Sequence, residues 1–184
     1  LPLNAIAEIL KHWEESLFPG FSVGSLHSRN PTAHKWKAPF RSLVLRESVF
    51  WRIHDLLFQA HTLYNSHHVL GSRILIRSAL ETLAILIHLN RIMKRVIDGQ
   101  LGFHEFSERT SQLLLGSRDG ATEIQAISIL TVLSHCEKRY PGIEKIYATL
   151  SECAHPNWEG ICYGYGRVDH DNDEVDFANS WEDM

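Results

Sequence analysis

Apolar residues recur at intervals of three and four along almost the whole chain. Leu3, Ile6, Ile9, Leu10, Trp13 and Leu17 define a first amphipathic helix, which Pro19 and Gly20 end. Residues 20–37 carry no period and are rich in Gly, Ser and Asn, so they are predicted as a long loop. Such loops are uncommon inside compact domains and are often functional. A second helix is expected from Pro39 to Tyr64, with Phe40, Leu43, Val44, Phe50, Trp51, Ile53, Leu57 and Phe58 turned inward. A third runs from Ser66 to Asp98 and stops at Gly99. Its centre, ILIRSALETLAILIHL, is apolar almost all round, which marks the middle of a bundle rather than its surface. Shorter helices are predicted near 102–116, 121–139 and 142–155, separated by SRDG at 117–120 and by Pro141-Gly142. Beyond Gly160 the period shortens to two. ICYGYGRVD, HDND and EVDF predict a small hairpin over 161–177, followed by an acidic tail at 178–184. Tyr163 and Tyr165 would then share one face of a strand. No repeat or domain boundary interrupts the 184 residues. The expected architecture is all-α, a single helical bundle of five or six helices with a C-terminal β-hairpin.

Composition narrows the class further. A hydrophobic fraction of 44% with 22% charged residues suffices for a buried core and excludes global disorder. No apolar run approaches the roughly 18–20 residues that span a bilayer. LPLNAIAEIL has neither the basic start nor the cleavage site of a secretory signal, so a cytoplasmic protein without a membrane partner is expected. The three cysteines, Cys136, Cys153 and Cys162, show no CxxC spacing, which fits a reducing compartment and no zinc knuckle. Neither a cofactor nor a metal is expected. HExxH is absent, His104 and Glu108 offer only two ligands, and DHDND at 169–173 lacks the Gly and Glu of a calcium loop. Beyond Arg167 stand seven acids and no Lys or Arg; the first 167 residues carry 18 bases against 15 acids, a balance of +3. That body tolerates a polyanion without advertising one.

The candidate chemistry lies on two helices. Arg73, Arg77 and Glu81 are spaced by four and so share one face of the apolar third helix. A guanidinium at such a place must meet a carboxylate or a phosphate, because an unpaired buried charge is too costly. Either Arg77 and Glu81 satisfy each other, or Arg77 grips a phosphate that Glu81 orients, with Arg73 and Asn157 as further nucleotide contacts. Ser151 and His155 share a face of the last helix. Their spacing suits a nucleophile and base, but no GxSxG elbow is present, and a serine bonded to its own helix with a histidine closing it before Pro156 accounts for both. Trp158, just after the turn, is expected to pack the hairpin on the bundle.

RSALE on the central helix, together with YATLSECAHPNWEG closing a later one, resembles a bacterial family of helical proteins. That group is similar in layout to the HEPN superfamily of toxin and phage-defence ribonucleases and non-catalytic nucleotide-binding proteins. The resemblance covers roughly residues 50–160 and implies a homodimer, RNA or nucleotide as ligand, and a cognate protein partner. It implies that Arg77, Glu81, Ser151 and His155 form the polar centre where two helices meet. One departure is plain: Ser151, Leu150 and Thr149 stand where the superfamily carries an Arg four to six positions before the His. A loose match to that Arg-polar-x3-His string, RNPTAH from Arg29 to His34, falls instead in the long loop. Ribonuclease activity and a non-catalytic, antitoxin-like module with a structural polar centre stay open as alternatives.

Overall fold

The computed structural model describes residues 2–21 and 34–183. Six α-helices lie among them: α1 (Leu3–Ser16), α2 (His34–Asn65), α3 (Val69–Ile97), α4 (Phe103–Leu115), α5 (Ile129–Glu137) and α6 (Ile143–Ala154). A π-helical turn (Trp158–Tyr163), strands β1 (Gly166–Asp169) and β2 (Glu174–Phe177), and a 3-10 turn (Trp181–Asp183) complete the chain. The all-α bundle with an antiparallel hairpin is therefore as the hydrophobic period predicts. Helix α3 is its axis, touching α2, α4, α5, α6 and the terminal 3-10 turn. No helix among the described residues is long and apolar enough to cross a membrane. The RNPTAH string lies outside the described residues, except for the backbone of His34.

Two apolar clusters hold the bundle. On one side of α3, Leu89 and Ile92 pack with Leu45, Val49 and Ile53 of α2 and with Leu101 and Phe106. On the other, Ala84 packs with Val132, Leu133, Cys136 and Ile143. The face that α2 buries is Ala38, Ser42, Leu45, Val49, Ile53, Leu56 and Ala60. This corrects the expected register, since Leu43, Trp51 and Phe58 are 39%, 46% and 54% exposed. Helix α2 is apolar on more than one side, and the small residues Ala38, Ser42 and Ala60 let its neighbours approach that face closely. Trp51 instead donates its indole N–H to the Phe18 carbonyl at 2.9 Å, and His54 Nε2 donates to the Leu10 carbonyl at 3.0 Å. The second bond ties α1 to α2, and the first ties the segment just beyond α1 to α2.

Three further expectations change. The helix predicted over 121–139 is only Ile129–Glu137, because the preceding residues bond to one another as a closed loop. The hairpin begins at Gly166 rather than Ile161, so Tyr163 lies in the π-helical turn and not on a strand. Its register pairs Arg167 with Asp176 and Val168 with Val175. At the hairpin tip the Asp169 carboxylate accepts from the N–H groups of Asp171 and Asn172 and from the Asn172 side chain. These bonds hold its pKa below the usual value and make DHDND a self-capped turn. Finally, Trp158 is 71% exposed, and the hairpin is anchored by Trp181, which is 1% exposed. The acidic tail is thus docked, not free. A Cβ on Gly164 would come within 2.6 Å of the Trp181 ring, so only glycine permits this contact.

Candidate functional site

Helices α3 and α6 cross where each presents polar residues one turn apart. Arg77 and Glu81 are neighbours on α3 because i and i+4 project to one face. On α6 the same spacing aligns Tyr147, Ser151 and, at the helix end, His155. Arg77 Nε donates to Ser151 Oγ at 2.9 Å, and its Nη2 donates to the Tyr147 hydroxyl at 2.8 Å. Nη2 also lies 3.2 Å from Glu81 Oε1, which accepts the Tyr147 hydroxyl proton at 3.0 Å. The guanidinium lies over the Tyr147 ring, 5.1 Å from its centroid. Fork geometry, charge assistance and ring stacking together fix this arginine in place.

The network forms one wall of an open cavity of about 850 Å³. Arg77, Glu81, Ser151 and His155, the four residues singled out from the sequence, all line it. Tyr147 and Arg118 join them. Tyr147 had a legible signal, since it stands four before Ser151. Arg118 had none, because it comes from the connection between α4 and α5.

That connection is a closed loop. Ser117 N–H donates to the Ile124 carbonyl, and Ala126 N–H donates to the Ser117 carbonyl. The Thr122 hydroxyl donates to the Leu115 carbonyl at 2.6 Å. Gly116 allows the closure: a Cβ there would lie 2.6 Å from Ala126 Cα. Gly116→Ala is expected to cost about 1–3 kcal/mol by overpacking. A urea unfolding curve checks this, and an unchanged midpoint would mean the loop yields. Among the described residues Arg118 has no hydrogen-bond or ion-pair partner. The cavity therefore presents two guanidiniums and an imidazole against a single carboxylate, an arrangement suited to an anion.

Two other expected contacts are not brought here. Arg73 stands over the Trp181 ring, 5.5 Å from its centroid, and beside the buried Cys153. It shares the helical face of Arg77, but its guanidinium lies on the Trp181 ring of the docked tail instead of on the α6 network. Asn157 caps the π-helical turn by accepting from Gly160 N–H, and its amide donates to Glu152. Both therefore serve the junction between bundle and hairpin. His155 is the first residue beyond α6, extended and exposed, its backbone N–H bonded to the Glu152 carbonyl.

Among the described residues no group of three His, Cys, Asp or Glu could hold a metal ion. A second titratable cluster lies away from the cavity. The rings of His88 and His135 stack at 5.2 Å, and neither nitrogen of His88 has a partner among the described residues. Burial, then the charges of His135, Arg91 and Arg109, push the His88 pKa down to about 4. His135 is lowered in the same direction, first by burial and then by Arg91. None of the family models, curated proteins or solved structures compared with the chain matches it.

Proposed function

We propose that the cavity between α3 and α6 binds the phosphate of a nucleotide or RNA chain, and that the protein is HEPN-like, with RNA cleavage as its activity. One observation carries the reading. The Arg77 guanidinium is hydrogen-bonded to Ser151, one turn before His155, on the cavity wall that His155 shares. An arginine thus stands beside the histidine's helix from the neighbouring α3, where the superfamily draws it from the same helix. In the proposed reaction His155 takes the proton of a ribose 2′-hydroxyl, whose oxygen attacks the phosphorus. Arg77 and Arg118 balance the charge that grows on the phosphoryl oxygens, and the bond to the 5′-oxygen breaks to give a 2′,3′-cyclic phosphate. The leaving oxygen takes a proton from solvent water in the open cavity to become the 5′-hydroxyl, and His155 returns its proton to solvent.

The test incubates the purified chain with short RNAs, wild type beside His155→Ala, Arg77→Ala and Arg77→Lys. His155→Ala is expected to keep RNA binding and lose cleavage. Arg77→Ala is expected to weaken binding at least tenfold, with Arg77→Lys between it and wild type because it keeps the charge and loses the fork. Cleavage by folded His155→Ala at the wild-type rate would remove His155 from the site.

A second reading, a non-catalytic module with a structural polar centre, is favoured by one feature. The bonds of Arg77 to Ser151, Tyr147 and Glu81 close on the protein itself. In that case Arg77→Ala lowers stability by about 1–3 kcal/mol, as for an orphaned half-buried acceptor set. RNA and nucleotides then leave the melting temperature of the wild type unchanged.

A further inference from the structure

We propose that a second cavity beside the first takes the base of a nucleoside monophosphate whose phosphate sits at Arg77 and Arg118. This rests on the phosphate-binding reading above and adds the ligand's other end. The second cavity has a volume of about 390 Å³ and shares Glu81, Arg118, Ala126 and Ile129 with the first. The two are therefore neighbouring compartments of one groove, with Arg118 and Glu81 at the partition. Their chemistry differs. The first holds Arg77 and His155, while the second is walled by Leu45, Val49, Ile85 and Ile127, with Ser48, Arg52, Thr82 and Gln112 as the polar side chains it does not share with the first.

The groove follows one face of α3, along which Arg77, Glu81 and Ile85 succeed each other at intervals of four. Eight residues of helix advance about 12 Å, the reach of one nucleotide from its phosphate to the far edge of its base. Charge sets the orientation. A phosphate belongs at the end with Arg77, Arg118 and His155, and a flat, largely apolar base belongs between Ile85, Ile127 and the α2 side chains. Glu81 at the partition is a hydrogen-bond acceptor suited to sugar hydroxyls. Arg52 Nε donates to Thr82 Oγ1 at 3.2 Å, and Thr82 Oγ1 donates in turn to the Ser78 carbonyl at 2.8 Å. These bonds hold the Arg52 guanidinium at the cavity, where it stacks on or bonds to a base edge. The loop closed at Gly116 is what keeps Arg118 between the two compartments.

Calorimetric titration of the full chain tests this, with adenosine and cytidine 5′-monophosphates against ribose 5-phosphate. A nucleotide is expected to bind at least tenfold more tightly than ribose 5-phosphate. Ile127→Trp, which fills the second cavity, is expected to abolish that difference and leave ribose 5-phosphate binding unchanged. Arg52→Ala, at an exposed position, provides an independent variant and is expected to weaken nucleotide binding severalfold while leaving ribose 5-phosphate binding unchanged. Equal affinities for ribose 5-phosphate and both nucleotides would overturn the base site while leaving the phosphate site standing. Nucleotide binding unaffected by Arg52→Ala and by folded Ile127→Trp would overturn it as well. If neither ligand type binds the wild type, the phosphate reading falls and the base site with it.

Discussion

Replacing Trp181 by Ala lowers the stability of the protein by about 3–5 kcal/mol, the range for truncating a large buried aromatic side chain. The ring is the largest fully buried side chain among the described residues. It lies against the Gly164 backbone, meets Tyr165 edge-on at 6.5 Å and carries the Arg73 guanidinium on its face. Removing it empties the joint between α3 and the hairpin and leaves Arg73 without its aromatic surface. Trp181→Phe costs less than half as much. It keeps a ring on Gly164 and deletes an indole N–H that has no partner among the described residues. Urea unfolding monitored by circular dichroism measures both. A Trp181→Ala protein that unfolds at the wild-type urea concentration would mean that the tail contributes nothing to the bundle.

Acidification from pH 6.5 to pH 4 removes about 3 kcal/mol of stability through His88 alone, at 1.36 kcal/mol per pKa unit. The sign follows from burial. His88 is held neutral in the fold, with its pKa lowered from 6.5 to about 4, whereas the unfolded chain protonates it near 6.5. Between those values the unfolded state binds more protons, so stability is complete above pH 6.5 and declines as pH falls toward 4. His135 adds to the loss in the same direction. The cations Arg91, Arg109, Arg95 and Lys138 around the pair oppose its protonation. Glu137 and Asp169, both lowered by hydrogen bonds from ordinary values of 4.5 and 3.8, withdraw their contributions only at the acid end. The measurement is the unfolding free energy of wild type and His88→Leu from pH 7 to pH 4. The variant should show a distinctly flatter profile. Parallel profiles would show that His88 protonates in the fold without cost.

Legibility from sequence followed helical geometry. Arg77 with Glu81, and Ser151 with His155, were recognisable because a spacing of four on a helix places side chains on one face regardless of what surrounds it. The same rule reaches Tyr147, one turn before Ser151, whose hydroxyl bridges Arg77 and Glu81. Arg118 followed no such rule, because the loop that carries it is closed by backbone and hydroxyl bonds that leave no periodic trace. Arg73 shows the limit of the spacing argument. It shares a helical face with Arg77, yet the neighbour that meets it is Trp181, from far along the chain.

The pattern of residues along the chain by itself determined that it is a helical bundle, that α3 is its axis, and that a short hairpin follows the last helix. Local periodicity decides these features, since each helix must bury its own apolar stripe. Which face α2 turns inward, whether the acidic tail docks, and how Arg77 meets α6 were decided only by the tertiary structure. Those outcomes depend on contacts between residues distant in sequence. Small side chains at the α2 crossing, a glycine beneath Trp181 and a serine one turn before His155 acquire their roles only when a second element packs against them.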